Sequence, residues 1–287
     1  MKSGKWQVAE DRTVAATREA RSCHLSPVTC HSRAFTLIEM LVVISILGIL
    51  AALTVPALKN LGKSNAALSA SRQLLAGVGH ARQLAIANHT TVYMVFVTTN
   101  FWNGLTVAQR AMPATTNLCD KQLSGYTFVA NGAVGDQPGQ HAWHYLEPWR
   151  ALPDNSFIAS WKFSPRTTIN IITNPISGAP LYFIPGFDTH SVPFPTADSP
   201  LAMLPCIAFN YLGQLTTDGQ NPASQDEYIP LARGSVLPAM DPSSKVFQFS
   251  PPSVSEMPPG NSTSSAYNIV DIDPLTGRAT LKFQKVQ

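Results

Sequence analysis

The sequence predicts an α+β fold in which one long N-terminal helix packs on an antiparallel β-sheet head. Three observations carry this. Residues 40–58 hold no charge, residues 59–88 turn amphipathic, and from residue 91 onward short β-branched and aromatic runs alternate with turn dipeptides. Strands that come after a helix, without helices between them, indicate an antiparallel rather than a doubly wound arrangement. At 287 residues the chain is long enough to bury a core. Its 23 prolines and 13% charged residues point to a loop-rich, β-leaning body rather than a helical bundle.

Residues 1–34 hold six Lys/Arg (Lys2, Lys5, Arg12, Arg18, Arg21, Arg33), three acids and no apolar periodicity. They read as a disordered leader. From Phe35 onward there are 14 charges of each sign, and a neutral body without a basic cluster has no electrostatic footprint for nucleic acid.

Residues 35–58 are expected to cross a membrane as a helix. The charge-free run has no polar face, and about 20 helical residues traverse the hydrocarbon layer. Arg18, Arg21 and Arg33 precede the run and Lys59, Lys63 and Arg72 come after it; only the whole leader tips the count toward an N-terminus inside. Cys23 and Cys30 would then face a reducing compartment. Cys119 and Cys206 would lie outside, where they either form a disulfide or stay unpaired.

Residues 59–90 continue the helix in amphipathic form. Leu61, Leu68 and Leu75 are spaced by seven, and Leu74, Val78, Ala81 and Ala85 extend a stripe in steps of three and four. Pro56 and Gly62 are expected bends, and Gly77 and Gly79 either weaken the helix or permit close packing.

The head, residues 91–287, has strand candidates at 91–98, 123–130, 156–163, 167–173, 181–184, 205–212, 245–249, 267–272 and 279–284. Asn131-Gly132, Asp218-Gly219 and Thr276-Gly277 mark turns. The proline-rich stretches 185–205 and 250–260 are expected to be surface loops, because proline lacks the N–H that a central strand donates. No internal repeat is visible.

A basic residue, Arg33, and a small one, Ala34, precede Phe35-Thr36-Leu37-Ile38-Glu39 and the apolar run. This resembles the processing site of type IV prepilins and type II secretion pseudopilins. The resemblance implies a pilin-like fold and a cut between Ala34 and Phe35 by a membrane aspartyl peptidase, with subsequent N-methylation of Phe35. It makes Glu39 the fifth residue of the mature chain and Pro56 the twenty-second, where the family often has a helix-bending proline. The family favours glycine before the cut; Ala34 adds a methyl group there, and slower cleavage is expected. Ala81-Arg82-Gln83-Leu84-Ala85 together with residues 91–97 is similar to the helix end and first strand of GspH/FimT-type minor pseudopilins. Leu152-Pro153, the run from Ile207 to Gly213, and residues 267–283 resemble their Leu-Pro turn, a strand-and-turn motif and their closing hairpin.

The resemblance implies a structural subunit of a type IV pilus-like or type II secretion filament. Such a subunit is anchored in the bacterial inner membrane, with its N-terminus cytoplasmic and its head extracytoplasmic. Its partners would be other pilin subunits and the prepilin peptidase/methyltransferase. Glu39 fits this reading. A carboxylate in hydrocarbon costs several kcal/mol and needs a partner, and cleavage frees an amine on Phe35 four residues away, about one helical turn. In the family the partner is taken to be the amine of a neighbouring subunit; the bland alternative is a glutamate that snorkels to headgroups.

Two rival readings are a filament-tip adhesin or substrate receptor, using loops 100–160 and 185–205, and an exported protein with an ordinary signal peptide. Glu39 and the helix continuing past Lys59 argue against the second. No Gly-x-Ser-x-Gly, His-Glu-x-x-His or phosphate-binding glycine loop occurs, so no enzyme and no cofactor is expected. No metal site is expected either. His141 and His144 lack further ligands, and Asp271 and Asp273 lack the later acid of a calcium loop, which favours a plain β-turn. Asn261-Ser262-Thr263 matches a glycosylation sequon by spacing.

Overall fold

The computed structural model describes residues 36–136, 142–174, 177–263 and 268–283; the side chains of residues 53–65 and of Phe283 lie outside the described set. The chain divides after Leu53 into two units, each taken by itself. The first helix, α1 (Leu37–Asn88), begins in the first unit and ends in the second. It is helical through Pro56 and Gly62, where bends were expected.

In the second unit α1 buries Ala67, Ala70, Ser71, Leu74, Val78, Ala81 and Ala85, a stripe at helical spacing. Most of these residues are small, so the helix axis approaches the sheet closely. Gly77 is one close point: a Cβ there would lie 3.3 Å from the Tyr126 ring. The heptad leucines Leu68 and Leu75 are not among the fully buried residues. Leu68 is 45% exposed, while Leu75, one heptad on, is half-buried and packs beside the core.

Fourteen strands are described: β1 (Val92–Phe96), β2 (Gly125–Asn131), β3 (Trp143–Tyr145), β4 (Arg150–Ala151), β5 (Ser156–Ile158), β6 (Ile169–Thr173), β7 (Pro180–Pro185), β8 (Asp188–Pro193), β9 (Leu201–Phe209), β10 (Leu215–Thr216), β11 (Glu227–Leu237), β12 (Ser253–Glu256), β13 (Asn268–Ile272) and β14 (Ala279–Phe283). Two short helices, α2 (Val107–Arg110) and α3 (Pro113–Thr116), come after β1. Thr106 and Gln109 form a capping box on α2, and Pro113 opens α3, where a missing N–H costs nothing.

All described pairings are antiparallel. The first sheet runs β10-β9-β1-β2-β3, with β8 also on β9 and β4 on β2. Its central strand β1 is apolar throughout because both faces are covered. Val92, Met94 and Phe96 join the cluster containing Leu74, Val78, Ala81 and Ala85 of α1, while Tyr93 and Val95 join one with Phe101, Val129, Phe194 and Leu204. The second sheet runs β12-β11-β13-β14, with β5 on β11; β6 and β7 form a separate ribbon. Ile172 and Ile184 face inward from the ribbon, whereas Ile169, Ile171, Leu181 and Phe183 are exposed.

Several expectations are corrected. Residues 245–249 form no strand; Phe247 makes one isolated bridge to Met240, and Lys245 has a positive φ of 59°. The 156–163 candidate is a strand only to Ile158, then a tight 3₁₀ turn over Ser160–Phe163. The stretches 185–205 and 250–260 contain β8, the start of β9 and β12 rather than loops alone. The longest strand, β11, was not expected, since Pro230 and Gly234 interrupt its pattern. Pro230 only accepts across to β5, from Ala159 N–H at 3.0 Å, so its missing donor leaves the ladder intact. Gly234 lies so close to β12 that a Cβ would stand 1.8 Å from the Ser255 oxygen.

The expected turns are present: Gly132, Gly219 and Gly277 all have positive φ. The Asp273 turn joins β13 to β14 through Gly277 N–H to Asp273 O at 2.9 Å. Cys119 and Cys206 do not form the disulfide considered; both are free, buried thiols in one apolar cluster. Burial pushes the Cys119 thiol up to about 11 and the Cys206 thiol up to about 12, so little thiolate exists to exchange.

Candidate functional site

Ala34 and Phe35 lie outside the described residues. The described residues begin at Thr36, which organises the start of α1. Its hydroxyl accepts from Glu39 N–H at 3.3 Å, and its carbonyl accepts from Met40 N–H at 3.2 Å, the first helical bond. Thr36 is therefore the N-cap of α1, and Glu39 is the third helical residue, where a carboxylate faces the positive end of the helix dipole. Sequence reasoning singled out Glu39 but not Thr36. The signal was readable: threonine with glutamate three residues later is the capping-box spacing.

Glu39 is exposed, and no cation among the described residues pairs with it. The surface beyond it is apolar on every side: residues 36–52 are all exposed, with Leu37 at 84%. Ser45 does not interrupt this, because its hydroxyl is returned to the Leu41 carbonyl. Among the described residues no helix is long and apolar enough to cross a membrane. Residues 37–52, whose side chains are described, rise about 24 Å, against a hydrocarbon layer of roughly 30 Å. The rest of the expected 35–58 span, including the Pro56 side chain, lies outside that set.

In the head, polar side chains meet in small groups. His144 contacts Asp136 at 3.0 Å, and this bond, with Ala133 N–H, holds the Asp136 carboxyl low; His141 lies outside the described residues. His80 of α1 reaches Glu147 at 2.9 Å, and Glu147 also meets Arg150 at 3.0 Å. Among the described residues no group of three or more His, Cys, Asp or Glu is placed to hold a metal ion. Asp271 pairs with Lys282 at 3.5 Å, and Asp273 accepts from Thr276 N–H and Oγ1. The sequon residue Asn261 is buried, its amide donating to Arg233 O and Pro258 O at 2.8 Å each.

The Ile207–Gly213 motif builds a turn around one side chain. Buried Asn210 accepts from Leu212 N–H at 3.1 Å and Gln214 N–H at 3.0 Å, and its amide nitrogen donates to Gln220 O at 3.0 Å. This turn sets Gly213 against Ile86 and Arg82 of α1. Arg82 in turn donates to Thr276 O at 2.8 Å. The end of α1, the Asn210 turn and the closing hairpin thus meet at one place.

Comparison with known proteins adds one finding. Residues 30–55 match the family model described as the prokaryotic N-terminal methylation motif, which supports a type IV pilin-like protein. None of the curated proteins and none of the solved structures compared with the chain matches it.

Proposed function

We propose that the chain is a prepilin, cut between Ala34 and Phe35, N-methylated on Phe35, and assembled as a minor pseudopilin of the GspH/FimT type. The single observation that carries this reading is the methylation motif over residues 30–55, a range that includes Phe35 and Glu39. The capped start of α1, apolar on every side beyond Glu39, supports it: such a surface has no place in water and is stable only in lipid or against like helices. The antiparallel β head behind an amphipathic helix supports it as well.

In this reading the helix anchors the protein in the bacterial inner membrane, with the head extracytoplasmic. The protein is a structural subunit rather than an enzyme. Its partners are the prepilin peptidase/methyltransferase and neighbouring subunits of a type IV pilus-like or type II secretion filament. Glu39 meets the freed amine of a neighbouring Phe35, which neutralises the carboxylate on docking and selects the register. Mass spectrometry of the mature N-terminus from membranes tests the reading. Methylated Phe35 is expected; an intact Met1 in assembled protein would overturn it.

A further inference from the structure

The strand β9 has partners on one side along its whole length and on the other along only half. Toward β8 it pairs from Leu201 to Cys206. Toward β1 it pairs only from Cys206 to Phe209. The direction of each backbone group can be read from the register. Phe194 N–H donates to Pro200 O, and Asn210 N–H to Gln214 O. In an antiparallel ladder, alternate residues turn both their N–H and C=O to the same neighbour. Even-numbered residues of β9 therefore face β8 and β10, and odd-numbered residues face β1. Pro205 has no N–H to give Phe96, and the ladder with β1 stops there. Beyond it, Leu201 and Met203 turn a donor and an acceptor each toward the β1 side, with no ladder partner among the described residues.

That unpaired edge lines a groove of about 750 Å³. Its other boundary is the segment just after β1, including Thr98, Phe101 and Leu105, and Phe163 and Phe187 also line it. Among the described residues the only charged ones lining it are Arg166 and Asp188, which pair with each other at 3.2 Å. Exposed strand edges are ordinarily blunted by charge or proline. Here prolines stand at 200 and 205, and the four residues between them, Leu-Ala-Met-Leu, carry no charge.

We infer that this groove receives an extended, uncharged segment of another polypeptide, apolar at alternate positions, which adds as a strand beside Leu201 and Met203. Unpaired N–H and C=O groups at strand spacing are complementary to another extended backbone, and main-chain bonds supply the affinity in such additions. The two prolines set the length: two residues of β9 offer up to four main-chain bonds. The paired Arg166 and Asp188 leave no net charge to attract a charged segment. The groove belongs to the head and does not depend on how the N-terminus is processed.

The test uses the full chain in lipid nanodiscs. The probe is a pool of six-residue, acetylated and amidated peptides, alternating Val, Ile, Leu or Phe with Ser or Thr. Residue-resolved amide exchange is read at Leu201 and Met203. Both amides are expected to exchange freely alone and to slow at least about tenfold with saturating peptide, as one main-chain bond requires. The same peptides N-methylated at alternate residues keep their side chains but lose the bonds, and are expected to bind about tenfold more weakly or not at all. Met203→Pro, which removes a groove-facing donor, is expected to do likewise. Absence of binding, binding without protection of these two amides, or equal binding of the N-methylated pool would each overturn the inference.

Discussion

At Lys162 a lysine is 0% exposed. Its ammonium donates to Glu227 and to Pro185 O, and stands 4.7 Å from the centroid of the Phe187 ring. Arg166 holds the other Glu227 oxygen at 3.1 Å and Asp188 at 3.2 Å. Burial pulls the Lys162 pKa down against the attraction of Glu227. Removing one member of such a buried pair strands the other. Glu227→Gln is expected to destabilise the head by about 3–5 kcal/mol, whereas Lys162→Met with Glu227→Leu is expected to cost less, since no charge is left buried. Urea unfolding of both variants checks this; a double variant less stable than Glu227→Gln would refute it. Nothing local in the sequence announces the cluster, because lysine and glutamate are ordinarily read as exposed and these two lie far apart in the chain. Glu39 was legible for the opposite reason: a charge inside an apolar run stands out.

Among elements, α1 was the most legible, since helix periodicity is written in consecutive residues. The Leu74, Val78, Ala81 and Ala85 stripe is the face that is buried. The two glycines on this stretch separate into different roles. An added Cβ at Gly79 meets nothing within 4 Å, while one at Gly77 presses on Tyr126 and Met94. Gly79→Ala is expected to stabilise the protein by about 0.5–1 kcal/mol, the helix-propensity difference. Gly77→Ala is expected to lose that gain to overpacking. Thermal unfolding of the two variants side by side checks the contrast, and equal stabilisation by both would contradict the packing of Gly77. Strands were legible where one short run is dense in β-branched and aromatic residues, as in β1 and β6. They were not where the strand depends on what lies beside it. β11 carries a proline and a glycine that only its neighbours make harmless, and β8 and β12 lie in proline-rich sequence.

At the scale of the molecule, the apolar start of α1 and the head answer to different physics. The head is built by pairing residues distant in sequence, so its topology could not be read from the chain, although its class could. The helix start is set by a short contiguous stretch, legible because an apolar run and a matching N-terminal methylation motif are both written in consecutive residues. Its surface is exposed, Leu37 foremost, and in the proposed reading that surface is covered by lipid or other helices, with Glu39 favouring the second. In lipid alone a carboxylate costs up to about 2.5–3.5 kcal/mol, the helix-centre value on insertion scales; in the proposed reading a neighbouring subunit's freed amine turns that cost into a contact. The cap itself belongs to Thr36, so removing the carboxylate leaves the helix start intact. Glu39→Ala is therefore expected to insert at least as well as the native chain, read by resistance to carbonate extraction, and to be depleted from sheared filaments. Glu39→Gln, isosteric but uncharged, is expected to share the assembly defect if the ion pair matters and not merely the shape. Normal incorporation of Glu39→Ala would remove the assembly role, and failure of that variant to insert would assign Glu39 to the membrane step instead.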